Sequence, residues 1–149
     1  MNPAKSIRKI IGTVVKNSAN YEILIPTSIF CDRSLSFAEA LVEFLREEYC
    51  LSYHEIGVLT NRNERNIWTL YNRAIIKRRS REQKVRSVSN IFIPLSIVKD
   101  RSLSILEVVV KYLIENTALS NHQIALLLNR SDKTIWTVYN RVKCKKSAN

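Results

Sequence analysis

The chain has 149 residues, 46% of them apolar, which suffices for the core of one ordinary domain or of two very small ones. Its 24 Lys and Arg against 13 Asp and Glu leave a net charge of +11 and a pI near 9.9, an excess that ordinary metabolic enzymes seldom carry, so a polyanionic partner is expected first. Gly12 and Gly57 are the only glycines, too few for a Walker A loop or a Gly-x-Gly-x-x-Gly turn, and the usual backbone cradle for nucleotide phosphates is thereby excluded.

No apolar run approaches the roughly 18 residues needed to cross a bilayer. The opening stretch MNPAKSIRKIIGTVV has too short an apolar segment for a secretory signal, so a cytoplasmic protein without a membrane partner is expected. Cys31, Cys50 and Cys144 form no C-x-x-C pair and suit free thiols in a reducing compartment; no metal and no cofactor are expected. In residues 1–20, the spacing of Ile7, Ile10, Ile11 and Val14 among Arg8, Lys9 and Lys16 predicts a short amphipathic helix, packed on the rest or holding a second chain in a homo-oligomer.

Beyond residue 20 the chain repeats itself. Residues 23–77 recur without a gap as 91–145, 68 positions later, with about half of the positions identical and Pro26 matched by Pro94. The cysteines face Lys99, Ala118 and Ile76 across the repeat, whereas a metal framework duplicated with the module would have kept its ligands. Two units follow, 21–77 and 91–146, joined by a basic linker at 78–90, each large enough for three helices.

Each unit opens on an extended arm, Ile23-Leu24-Ile25-Pro26 or Ile91-Phe92-Ile93-Pro94, whose β-branched residues and proline favour a short edge strand. A Ser-x-x-Glu capping box at Ser36–Glu39 and Ser104–Glu107 then starts a first helix over 37–48 and 105–116. Phe37, Leu41, Phe44 and Leu45 form its apolar face, with Glu39, Glu43 and Glu47 read as surface charges. A second box, Ser52-Tyr53-His54-Glu55 or Ser120-Asn121-His122-Gln123, starts a helix of barely two turns with Ile56 and Leu59, or Ile124 and Leu127, facing inward. Asn61 and Asn129 suit the left-handed turn that ends it, and Asn63 and Ser131 suit the cap of a third helix.

The phrase Leu119-Ser120-x-x-Gln123-Ile124-Ala125-x-Leu127-Leu128-Asn129-x-Ser131-x-Lys133-Thr134-Ile135 resembles the helix-turn-helix of sigma-factor promoter-reading domains and LuxR-type regulators. Leu51-Ser52-x-x-Glu55-Ile56-Gly57-x-Leu59 matches more loosely. Those families commonly carry glycine in the turn where this chain has Asn61 and Asn129. From I-x-I-P through I-W-T-x-Y-N-R, both units also look like small archaeal helix-turn-helix proteins of unassigned role. The resemblance implies DNA binding.

On the third helix, Ile67, Leu70, Tyr71 and Ala74, and equally Ile135, Val138, Tyr139 and Val142, form the stripe expected to be buried. Arg65, Thr69 and Asn72, with Lys133, Thr137 and Asn140, then fall on the opposite face as base-reading candidates, because Arg or Lys pairs with guanine, Asn with adenine and the Thr methyl meets thymine. Trp68 and Trp136 lie between the two stripes, which suits packing against a neighbouring element, the favoured expectation, or contact with the sugar-phosphate backbone. The DNA-backbone candidates are His54, Arg62, Arg73, Lys77, Arg78 and Arg79 in the first unit and His122, Arg130, Arg141, Lys143 and Lys145 in the second. Charge placement agrees, since residues 62–86 hold nine cations against two acids, whereas residues 31–61 hold two cations against six acids.

No nucleophile has a recognisable base partner and no paired carboxylates sit in a supporting motif, so neither an enzyme nor a small-molecule substrate is expected. The expectation is an all-α protein of two tandem three-helix helix-turn-helix units, each preceded by an arm able to pair as a small β-ribbon. It binds double-stranded DNA as a transcription regulator or a nucleoid-associated protein; the alternative is a protein-protein or RNA-binding adaptor on the same fold. If the arm near 22–30 pairs antiparallel with that near 90–98, a pseudo-twofold axis relates the units, as in a helix-turn-helix dimer.

Overall fold

The computed structural model describes residues 14–17, 20–80 and 90–148. Strands β1 (Val14–Asn17) and β2 (Asn20–Pro26) lead into a 3-10 turn (Thr27–Cys31) and helices α1 (Phe37–Glu48), α2 (Tyr53–Thr60) and α3 (Glu64–Arg79). Strand β3 (Phe92–Pro94), a second 3-10 turn (Leu95–Lys99) and helices α4 (Ile105–Asn116), α5 (Asn121–Leu128) and α6 (Asp132–Ser147) follow. The described part is mostly helical, with one small antiparallel sheet in the order β1-β2-β3.

Most of the expected N-terminal amphipathic helix lies outside the described residues. Its last part is not helical: Val14–Asn17 is a strand paired with β2, as the β-branched Val14 and Val15 favour. Helix α3 runs on to Arg79, which takes Arg78 and Arg79 out of the expected linker; residues 81–89 of that linker lie outside the described residues.

All four capping boxes form. Ser36 Oγ accepts from the Glu39 amide at 3.2 Å while the Ser36 amide donates to Glu39 Oε2 at 3.0 Å, and Ser52–Glu55, Ser104–Glu107 and Ser120–Gln123 repeat the exchange. Each reciprocal pair satisfies two amides that a helix start otherwise leaves without partners, which fixes α1 at 37–48 and α4 at 105–116, the ranges the sequence predicts. Asn61 and Asn129 close α2 and α5 at φ 52°. Asn63 and Ser131 cap the long helices by accepting from the Arg65 and Thr134 amides.

The halves do not stand apart as two beads. Strands β2 and β3 pair with Ile25 opposite Ile93 and with Leu24 and Pro26 opposite Pro94 and Phe92. Ile25 and Ile93 occupy the same position of the repeat, so a pseudo-twofold axis passes between them, and both side chains are 2% exposed. From there each 3-10 turn reaches across to the other half. Asn61 Nδ2 donates to Lys99 O at 3.2 Å and, symmetrically, Asn129 Nδ2 donates to Cys31 O at 2.9 Å. Helices α1 and α4 also touch, and one buried cluster runs from Phe30, Leu41, Ile56 and Ile67 to Ile93, Leu113, Ile124 and Ile135. A unit of 55 residues alone buries a smaller share of its surface than a domain of about 150 does, and exchanging turns lets each half cover the other.

Candidate nucleic-acid interface

Helices α3 and α6 pack on the first two helices of their own halves, which leaves one side of each outward. Ile67, Ala74 and Ile135 are fully buried and Val138 and Val142 nearly so, while Leu70, Tyr71 and Tyr139 are partly buried against the core, as the helical periodicity predicts. Outward on α3 lie Arg65, Asn66, Trp68 and Arg73, and outward on α6 lie Lys133, Trp136 and Arg141.

The base-reading candidates separate into two groups. Arg65 and Lys133 are exposed in the first turns of their helices, whereas Thr69, Asn72, Thr137 and Asn140 are half-buried. Thr69 Oγ1 donates to Arg65 O at 2.9 Å and Asn72 Nδ2 donates to Trp68 O at 3.0 Å, so both side chains lie back along their own helix. The favoured expectation for the tryptophans is overturned: Trp68 is 53% exposed and Trp136 62%, on the outward side with Arg65 and Lys133. Arg65, Trp68, Thr69 and Asn72 follow an i, i+3, i+4, i+7 spacing, a signal in the sequence that the choice of wheel boundary hid.

Several backbone candidates are engaged within the fold. Arg62 Nη1 donates to Thr60 O at 2.8 Å and, across the axis, to Val98 O at 2.7 Å. Burial lowers the Arg62 pKa, and the Arg101 charge adds to the effect. Arg130 Nη1 donates to Leu128 O and Asn129 O at 3.2 and 3.0 Å with the guanidinium 5.2 Å from the Phe37 ring; burial and then Arg33 lower its pKa. Arg33 and Arg101 are exposed at equivalent positions of the repeat, and sequence reasoning missed them because each approaches a turn of the other half. His54 Nδ1 lies 3.6 Å from Glu64 at an exposed site, and His122 Nδ1 is within hydrogen-bond distance of Asp132 at 2.9 Å, so each histidine faces the acid in the first turn of the long helix.

The ends of the long helices hold buried carboxylates, two of which, Glu39 and Glu43, the sequence placed on the surface. Glu39 is 4% exposed, Glu43 6% and Glu107 6%, because α3 and α6 cross back over the starts of α1 and α4. Lys77 Nζ donates to Glu39 Oε2 at 2.7 Å and Lys145 Nζ to Glu107 Oε2 at 2.8 Å, the same oxygens that complete the capping boxes. Arg78 grips both Glu43 oxygens at 3.0 Å and also bonds Asp32 Oδ2. Burial alone raises the Glu39, Glu107 and Asp32 carboxyls, but hydrogen bonds from Lys77, Lys145, and Ser34 with Arg78 respectively outweigh it, and all three titrate below the ordinary carboxylate range. Lys143 Nζ stands 4.6 Å from the Tyr139 ring centroid. Lys77, Arg78 and Lys145 therefore brace the helices, while Arg73, Arg79 and Arg141 are exposed.

Among the described residues, no three His, Cys, Asp or Glu gather closely enough to hold a metal ion, and no helix is long and apolar enough to cross a membrane. No protein-family model, no curated protein and no solved structure matches the chain.

Proposed function

We propose that the chain binds double-stranded DNA as a dimer built within one polypeptide, each half a helix-turn-helix unit with α3 or α6 as its reading helix, in the role of a transcription regulator or a nucleoid-associated protein. The observation that carries this reading is the repetition of one outward pair, Arg65-Trp68 and Lys133-Trp136, flanked by the half-buried Thr69 and Asn72 or Thr137 and Asn140, about the Ile25–Ile93 axis of a strongly basic molecule. A short capped helix, a left-handed asparagine and a long helix with cations in its outward first turn present donors as a major-groove reader does. Each tryptophan supplies an apolar edge for thymine methyls or deoxyribose. Arg33, Arg73, Arg79, Arg101 and Arg141 supply exposed charge for phosphates.

Two readers related by a twofold address inverted half-sites about one helical turn, roughly 34 Å, apart. The test is selection of bound fragments from random duplex, followed by binding at two salt concentrations. Inverted half-sites and an affinity falling steeply with salt are expected, with Arg65→Ala or Lys133→Ala costing about 1–3 kcal/mol on the selected site and much less on random duplex. A flat salt dependence, or preference for single-stranded RNA over duplex DNA, overturns the reading. The adaptor alternative rests on Val58 and Leu126, exposed by 64% and 68% at equivalent positions of the short helices; failure to bind any duplex would turn attention to it.

A further inference from the structure

The repeat relates Asp32, Glu43 and Glu47 of the first half to Asp100, Lys111 and Glu115 of the second, and Arg78 to Lys146. In the first half the Arg78 guanidinium fills the space between the 3-10 turn and α1, held by Asp32 Oδ2 and both Glu43 oxygens. The second half has no such plug. Lys146 turns aside to Glu115 Oε1 at 3.1 Å, and the position of the second carboxylate carries the cation Lys111. Between the 3-10 turn and α4 there remains a cleft of about 400 Å³ lined by Asp100, Leu103, Val108, Lys111, Tyr112 and Glu115, a volume in the range of small-ligand sites.

Asp100 keeps the local geometry of Asp32. Each holds the serine two residues on through Oδ1, so Oδ2 of Asp100 stands where Oδ2 of Asp32 receives a guanidinium. At the other end Lys111 offers an ammonium where Glu43 offers a carboxylate. The buried Leu103 and Val108, with the half-buried Tyr112 ring, supply the apolar part of the lining, and the Lys111 charge is near enough to act on Asp100. We propose that this cleft binds a small zwitterion, its guanidinium or ammonium on Asp100, its carboxylate on Lys111 and its methylenes along the apolar lining. Ligand chemistry thus takes the place of the Arg78 side chain, with the charge at one end inverted. The proposal is independent of the DNA-binding reading.

The probe is 4-guanidinobutyrate, titrated calorimetrically into the full chain, with agmatine and butyrate as analogues lacking the carboxylate or the cation. Saturable binding is expected, at least tenfold weaker for either analogue and at least tenfold weaker to Lys111→Ala. The double variant Lys111→Glu/Lys146→Arg rebuilds the first-half plug; it is expected to melt above the parent chain and to lose 4-guanidinobutyrate binding. Absence of saturable binding to the parent chain overturns the proposal. So does binding that the double variant retains, or binding that agmatine or butyrate matches.

Discussion

The two halves share one plan but hold their long helices down differently. In both, a lysine at the end of the long helix bonds the carboxylate that caps the first helix, Lys77 to Glu39 and Lys145 to Glu107. One residue later the halves part. Arg78 makes a bidentate, mostly buried pair with Glu43 and reaches Asp32, whereas Lys146 bonds one oxygen of the more exposed Glu115. In each half one glutamate oxygen both completes the cap and accepts the interhelical tie from the lysine, so loss of that carboxylate weakens two elements at once. The second tie is separable, and the halves have diverged there.

The strongest test of the shared plan lies on the axis. Ile25 and Ile93 are equally buried and face one another, so Ile25→Ala and Ile93→Ala are each expected to cost about 2–4 kcal/mol in denaturant unfolding, with equal effects on both halves. A single cooperative transition in both variants fits one shared core; two resolved transitions would mean that the halves fold apart.

Next comes the clamp. Arg78→Ala removes the guanidinium that Glu43 and Asp32 share at a largely buried site and is expected to cost about 1–3 kcal/mol, below the ~3–5 of a fully buried pair because Arg78 is still partly solvated. Lys146→Ala is expected to leave the denaturation midpoint in place. Acid sharpens the contrast. Carboxyls whose folded pKa is depressed add stability that is present above their unfolded values, near 4, and is lost as pH falls through the folded ones. Stability should therefore fall as pH drops below about 4, and more gently in Arg78→Ala than in the parent chain, because Asp32 no longer loses its cationic partner. Identical acid limbs for the two proteins would contradict the assignment of the clamp.

Much of this plan was legible in the sequence, because it rests on local chemistry. Capping boxes, left-handed asparagines and N-caps depend on residues at most four apart, and the gap-free 68-residue repeat predicts which arms face one another. The burial of Glu39 and Glu43 was not legible, since it depends on where the far end of α3 lands, and in the wheel of α1 those residues fall on the polar side. For the same reason Arg62 was expected on a phosphate, although its guanidinium bonds a carbonyl of the other half. The tryptophans failed differently. Their place between the two stripes was read in favour of packing, but a position three residues from Arg65 or Lys133 and one from a buried isoleucine places them outward.

The smallest effect concerns a point where the halves differ by one methyl. Gly57 and Ala125 occupy the same position of the repeat, and in each half their carbonyl accepts the amide of the turn arginine, from Arg62 at 2.8 Å and from Arg130 at 2.9 Å. In the first half the chain comes so close that a Cβ on Gly57 would stand 2.8 Å from the Arg62 carbonyl oxygen, a backbone atom. That carbonyl cannot swing away cheaply, because the Arg62 guanidinium is pinned to Thr60 O and Val98 O. Alanine in the middle of a helix would by itself gain about 0.5–1 kcal/mol over glycine. Overpacking costs about 1–3 kcal/mol and outweighs it, so Gly57→Ala is expected to destabilise by about 1 kcal/mol net. Ala125→Gly removes a buried methyl and adds backbone entropy to the unfolded chain, so it too should destabilise, by about 1 kcal/mol. Each half would then prefer its own residue. If Gly57→Ala instead raises the melting temperature, the Arg62 turn relaxes as freely as the Arg130 turn, and the cross-axis bond from Arg62 to Val98 is too weak to hold it.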